Sequence, residues 1–426
     1  MFLKIRDTLL STVSQQIAGV IIFLTIPRIL TVEDYAITVF VGVLLSFVSL
    51  ADFGFTFVYS RKLPALYHVA NESELNQWHS TAFWFPFTMA FLMGLFLAVI
   101  YFIKFESYLQ ALCVFLIPAG MSLIAYISAK YSARGDFFTY RNLNIEQSVL
   151  KIFTVPIVFI CGILGWFVGQ LLISLPGIKR LLKDDLPNIK CFDTKLIFTS
   201  FKEGILLIGV FSLWMQLMGL GRLLAASNYS KVIIANYGIM NAAYQILTSL
   251  VIAAFVPFSV HTLKMVSINE KNAAEMIFKV IFLALPIMFF LILITQKLAP
   301  YLFEFFFQKY QYDAKIFDSL LYGLMALPIV LTLGNLFVAK QKVFHYLVLL
   351  GLSFLVGIFS FYLMLSEYGD SAAAIAQFIG LSACAFLMLL VSIVLFRNSI
   401  DKKVQKILSI FGIWVLVALF EFKVVH

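Results

Sequence analysis

VLKIFTVPIVFICGILGWFVGQLLISLPGIKRLL, residues 149–182, is an almost unbroken apolar run, and the fold turns on whether it is one helix or two. As a single helix rising 1.5 Å per residue it would be about 50 Å long, far beyond a hydrocarbon core of about 30 Å. Gly162 and Gly165 offer a turn near its middle. Charge supplies an independent criterion, because merging or splitting this run inverts every later loop. With two helices, 22 of the 31 Lys and Arg residues fall on one side, in short loops and flanks, and 7 on the other. Cytoplasmic loops carry the excess of Lys and Arg in membrane proteins, so two helices are expected here, with the N-terminus in the cytoplasm.

The chain around this run is of one kind. It is 62% hydrophobic and 12% charged, against about 25% charged in an ordinary soluble domain. Too few polar side chains remain to cover a water-soluble surface. Apolar runs long enough for a helical span recur at roughly 8–30, 36–60, 79–103, 107–129, 145–163, 164–182, 203–225, 231–260, 275–298, 317–339, 343–365 and 371–396. They are continuous and longer than the alternating ten-residue segments of a β-barrel. The expectation is an all-α integral membrane protein of about twelve transmembrane helices in two six-helix lobes. Its parts would be a lobe at 1–182, a cytoplasmic linker at 183–202, a second lobe at 203–396 and a basic tail at 397–426. Within the tail, Ile407–Phe420 is too short to be assigned as a span or an interfacial helix from length alone. The first apolar stretch is too long for a cleaved signal peptide and reads as the first span.

Several functions are excluded or disfavoured. The net charge of +9 is explained by topology rather than by nucleic acid. No GxxxxGK[ST] is present, and Gly219-Leu-Gly221-Arg222 follows no strand, so nucleotide cofactors are not expected. The histidines (His68, His79, His261, His345, His426) and the cysteines (Cys113, Cys161, Cys191, Cys384) lack metal-ligand spacing. No loop holds a nucleophile–base pair, and the outer loops are too short for the catalytic module of a membrane glycosyltransferase or polysaccharide polymerase, which is the competing enzymatic reading.

What remains is a small set of ionisable residues near or within the spans. Each costs about 2.5–3.5 kcal/mol at a helix centre, so such groups usually face a water-filled cavity. Arg28 and Arg222 lie toward the outer ends of helices 1 and 7. Lys151 lies inside helix 5, and Arg61, Lys62, His261 and Lys264 sit at the inner ends of helices 2 and 8. The long side chains among them can also snorkel to headgroups. Asp52, in the inner half of helix 2, is too short to do so. Prolines at 27, 86, 118, 156, 257, 286 and 328 permit kinks. A faint parallel repeat pairs Ile-Pro-Arg28-Ile-Leu with Leu-Gly-Arg222-Leu-Leu, Tyr35 with Tyr237, and Arg61 with Lys264.

Leu30-Thr-Val-Glu-Asp-Tyr35, then Leu50-Ala-Asp52-Phe-Gly54-Phe followed by Arg61, resembles the opening of polysaccharide exporters, above all the bacterial O-antigen flippases. These belong to the multidrug/oligosaccharidyl-lipid/polysaccharide exporter superfamily. Gly221-Arg222-Leu-Leu, Asn236-Tyr237-Gly238 and Pro257 follow that family's second-half progression, and Tyr368-Gly-Asp-Ser-Ala-Ala-Ala-Ile-Ala is similar to its helix 12 opening. Two positions depart from it: Gly221 stands where an acid commonly precedes the Arg, and helix 1 has no embedded carboxylate. The resemblance implies lobes related by a pseudo-twofold axis around a central cleft. It further implies a non-enzymatic flippase of the bacterial inner membrane, without cofactors, that moves a polyprenyl-diphosphate-linked oligosaccharide by alternating access. Its partners would be that substrate, membrane lipids and the polysaccharide polymerase machinery. Arg28, Arg61, Lys62, Lys151, Arg222, His261 and Lys264 would bind substrate, with Asp52 tuning charge or coupling an ion. The alternative within the superfamily is a multidrug or other lipid-linked-precursor exporter.

Overall fold

A computed structural model describes residues 2–184, 186–268 and 270–395, and Ile407, Phe411, Gly412 and Trp414 of the tail. Side chains are described throughout except at 2–5, 8, 9, 65, 68, 69, 256–274 and 395. The described residues include fifteen α-helices, with short 3-10 turns between some of them: α1 Phe2–Ile29, α2 Val32–Ser46, α3 Phe55–Val69, α4 Glu72–Phe105, α5 Tyr108–Arg134, α6 Phe137–Leu172, α7 Leu175–Lys183, α8 Thr194–Met218, α9 Leu220–Asn228, α10 Lys231–Ile268, α11 Glu270–Phe306, α12 Ala314–Tyr322, α13 Leu327–Ala339, α14 Val343–Tyr368 and α15 Ala372–Leu395. Ten stretches are long and apolar enough to cross a membrane, and two of them, Phe137–Lys183 and Val343–Val394, each contain a reversal. The protein is therefore a multi-pass, all-helical membrane protein of about twelve crossings.

The first reversal lies within α6. Gly162 has φ +57° and ψ −138°, a conformation that breaks the helix and that L side chains rarely adopt. A Cβ on Gly165 would overlap the main chain at Ile157 and Val158, and one on Gly169 would overlap Thr154. Those pairings run in opposite directions from Gly162, so the two arms fold back on each other as a tight hairpin. The run 149–182 is two helices, and small residues let their backbones meet. The second reversal is the turn at Gly369 between α14 and α15.

Three other expected helices are interrupted. The run 36–60 is broken between α2 and α3, where Phe53 and Gly54 both have positive φ. The seventh breaks at Gly219, and the tenth passes through a 3-10 turn, Gly323–Ala326, ahead of Pro328. Helix starts are marked by short acceptors at the N-cap. Thr31 accepts the N–H of Asp34, Asn71 that of Glu74 and Asp136 that of Thr139, at 2.8–3.1 Å. The Thr-Val-Glu-Asp segment at 31–34 thus owes its pattern to capping.

The chain forms two compact units, Met1–Ser212 and Leu213–His426. The core of the first is an aromatic cluster of Phe55, Tyr59, Trp78, Phe83 and Tyr126, closed by Ile127 and Leu143. Residues 187–193, within the segment expected to be a linker, are held to α4 by three hydrogen bonds. Ser80 Oγ donates to the Asn188 carbonyl, Trp84 Nε1 donates to that of Pro187, and Thr81 Oγ1 accepts from the Asp193 N–H. In the second unit, the fully buried run Ala372–Ala376 opens α15, and Gly357 of α14 faces Gly380 of α15. The tail touches this unit: Ile407 and Phe411 are buried, and the Trp414 ring packs edge-on to Phe289 and Tyr322.

Candidate functional site

The break before α3 builds the most distinctive local structure of the first unit. Asp52 is only 8% exposed, and its two carboxylate oxygens accept the N–H groups of Gly54 (3.0 Å) and Thr56 (2.9 Å). It therefore caps the first turn of α3, satisfying donors that a helix start leaves without partners. Gly54 is pressed so closely on Gly204 of α8 that a Cβ would overlap the Gly204 carbonyl oxygen. The Asp-Phe-Gly sequence is thus a device that stops one helix, caps the next and brings two backbones together.

Beside the cap lies a cavity of about 260 Å³ lined by Asp52, Thr56, Phe57, Pro86, Met121 and Phe211, among others. Two turns along α3, Arg61 is exposed and has no carboxylate partner among the described residues. Lys62 is engaged: its Nζ lies 3.2 Å from Glu203 and 5.8 Å from the Trp78 ring centroid. Asp52, Arg61 and Lys62 therefore share one short stretch. The remaining sequence-predicted residues do not join them. Arg28 is exposed in the last turn of α1, and Lys151 is half-buried on α6, one turn beyond Ser148. Along this same α1–α6 seam Gln15 donates to Asn144 at 2.9 Å and Ser148 to Ser14 at 3.3 Å. Arg222 is half-buried on α9 of the second unit, where the neighbouring Gly221 N–H donates to Gln377 at 3.0 Å. His261 and Lys264 lie on α10, but their side chains are outside the described residues. The repeat is also out of register, since Arg28 is one residue from the end of α1 and Arg222 six from the end of α9.

Sequence reasoning missed a polar network at the α3–α4–α5 end of the first unit. His79, 8% exposed, lies between two phenols, with Tyr59 Oη 2.7 Å from Nδ1 and Tyr67 Oη 3.2 Å from Nε2. Arg134 Nε donates to Tyr67 at 2.7 Å. Lys130 Nζ and Tyr131 Oη both donate to Asp184 at 2.9 Å. Burial pushes the Asp184 carboxyl up, but these two hydrogen bonds and the nearby cations outweigh it and hold the group below the usual carboxylate range. Arg180 forks onto Glu146 at 2.8 and 3.0 Å, and Arg141 pairs with Asp7 at 2.7 Å. Basic residues that appear in the sequence only as a topological signal thus hold helices together. Nothing in their spacing marks the partners.

No family model and no curated protein matches the chain. Solved structures do. A multidrug resistance MATE family transporter of the MOP superfamily, in an inward-facing conformation, matches with a TM-score of 0.68 at 15% identity, over 91% of this chain and 95% of the other. The lipid II flippase MurJ, in an inward closed conformation, matches with a TM-score of 0.59 at 16% identity over all of both chains. The Vibrio cholerae MATE transporter VcmN, in its bent form, matches with a TM-score of 0.54 at 14% identity over 97% of each. The chain is a multi-pass membrane protein of two helical units. Its fold is the one these transporters and this flippase share.

Proposed function

We propose that the protein is a flippase. It carries a polyprenyl-diphosphate-linked oligosaccharide, an O-antigen repeat unit or a similar one, from the cytoplasmic to the outer face of a bacterial inner membrane by alternating access. The observation that carries this reading is Arg61. Lys62, Lys130, Arg141 and Arg180 are matched with carboxylates, whereas the Arg61 guanidinium is exposed on the helix that walls the Asp52 cavity and has no such partner among the described residues. A guanidinium can hold a diphosphate bidentately, and the attraction strengthens as water is excluded. In this reading Arg28 and Lys151 of the first unit and Arg222, His261 and Lys264 of the second are further substrate-binding residues, and Asp52 serves mainly to hold α3. The excess of Lys and Arg supports a cytoplasmic N-terminus.

The test is export in cells whose own copy is replaced by Arg61→Ala or Arg61→Lys. Arg61→Ala should sharply reduce surface polysaccharide and leave the lipid-linked intermediate on the inner leaflet, at unchanged membrane levels of protein. Arg61→Lys should recover part of it. Normal export by Arg61→Ala would overturn the reading. A multidrug exporter is the second reading, favoured by the apolar walls of the Asp52 cavity. It requires efflux of an organic cation such as ethidium that is lost on Asp52→Asn, whereas the flippase needs neither.

A further inference from the structure

A second chamber, of about 280 Å³, adjoins the Asp52 cavity and shares Thr56, Phe57 and Ala125 with it. Together the two fall within the roughly 300–1,000 Å³ of small-molecule sites. The lining of the second is unusual for an apolar protein: Thr56, Ser60, Ser128, Ser132 and Tyr140 all present hydroxyls, alongside Phe57 and two alanines. No charged side chain lines it.

Helical serines and threonines in membrane proteins usually satisfy the hydroxyl by donating to a carbonyl one turn back. Ser14, Ser46, Ser60, Ser148 and Thr154 of this unit do so. The hydroxyls of Thr56, Ser128, Ser132 and Tyr140 have no hydrogen-bond partner among the described residues. Ser128 and Ser132 forgo the intrahelical bond, Thr56 in the first turn of α3 and the Tyr140 phenol have none to make, and all four are left to water or to a ligand that both donates and accepts. The Phe57 and Tyr140 rings give the same chamber apolar faces. A ligand that is neutral, dense in hydroxyls and has one C–H face is a sugar. A diphosphate or a lipid headgroup phosphate would meet no cation inside it.

We propose that this chamber, between α3, α5 and the start of α6 in the first unit, is a saccharide subsite that receives the sugars nearest the diphosphate while Arg61, next in sequence to Ser60, holds the diphosphate. The assignment rests on the flippase reading and names the part of the substrate that the first unit reads.

The test compares two probes, undecaprenyl diphosphate and undecaprenyl diphosphate carrying a disaccharide, on protein in nanodiscs. Wild type should bind the glycosylated probe more tightly. The triple variant Ser128→Ala, Ser132→Ala, Tyr140→Phe should weaken that probe roughly tenfold, as expected for losing two or three neutral hydrogen bonds, with the bare diphosphate unchanged. If the variant keeps the full preference, the chamber is not the subsite, although the flippase reading stands. If wild type binds both probes equally, the subsite falls while the flippase reading stands; if it binds neither, both fall. Because the triple variant could perturb packing, Ser132→Cys gives a second reading, with alkylation at that position followed by mass spectrometry. Slowing by the glycosylated probe and not by the bare one is expected. Equal rates with both would overturn the assignment.

Discussion

The Asp52 carboxylate accepts the main-chain N–H of Thr56 at 2.9 Å, and with its other oxygen that of Gly54, so both oxygens are committed to the first turn of α3. Removing an N-cap acceptor costs about 0.5–2 kcal/mol. Asp52→Ala should therefore destabilise the purified protein by that order, read as a lower melting temperature. Asp52→Asn, which keeps one acceptor, should lose less. An Asp52→Ala protein as stable as wild type but unable to transport would point instead to ion coupling at this carboxylate.

The α6 hairpin separates two kinds of glycine. At Gly162 a Cβ would meet nothing within 4 Å, so Gly162→Ala pays only for its backbone conformation, about 1–3 kcal/mol. At Gly165 the Cβ would strike the Ile157 carbonyl, which cannot move without parting the two arms. Gly165→Ala should therefore reduce the yield of monodisperse, folded protein far more than Gly162→Ala. Equal tolerance of both substitutions would argue against the close approach of the arms.

These two cases also mark where the sequence was readable. The hairpin follows from quantities the sequence contains: a run too long for one span and a charge distribution that only a reversal satisfies. The break before α3 lies in an equally apolar run, and hydropathy is blind to it. It was encoded in Asp-Phe-Gly, whose short acceptor and glycine are cap and break signals, but an acid within a span invites an electrostatic reading first. The ion pairs were not legible at all. Glu146 and Arg180 are 34 positions apart, Lys130 and Asp184 are 54 apart, and Asp7 and Arg141 are 134 apart. Only the packed helices bring them together.

Burial separates the ion pairs energetically. Lys62 and Glu203 are 37% and 53% exposed, and such pairs contribute about 0–1 kcal/mol. Lys130 and Asp184 are 8% and 19% exposed, so Asp184→Asn leaves an ammonium poorly solvated and should cost clearly more than Glu203→Gln. The folded-state pKa of Asp184 lies below the ordinary value of about 3.9. Its stabilisation is therefore fully present above that value and is lost as pH falls through the lower folded one. Wild type should lose melting temperature on acidification below about pH 4, and Asp184→Asn should show a smaller fall over the same window. Parallel pH profiles for the two proteins would remove Asp184 from the account.

Two native cysteines report topology without any substitution. Cys161 is exposed and adjoins the Gly162 turn, while Cys191 is half-buried in the segment held against α4; Cys113 and Cys384 are buried. The two arms of α6 place the turn at one end of the first unit and the segment after α7 at the other. If the N-terminus is cytoplasmic, Cys191 faces the cytoplasm and Cys161 lies near the outer face. A membrane-impermeant maleimide applied to intact spheroplasts should then modify Cys161 and spare Cys191, and inside-out vesicles should reverse the pattern. Cys191 is decisive, because its neighbours Asn188 and Asp193 are hydrogen-bonded to Ser80 and Thr81 near the start of α4, which fixes the place of the segment. Labelling of Cys191 from the outer side would invert the topology, and with it the side from which Arg61 meets its substrate.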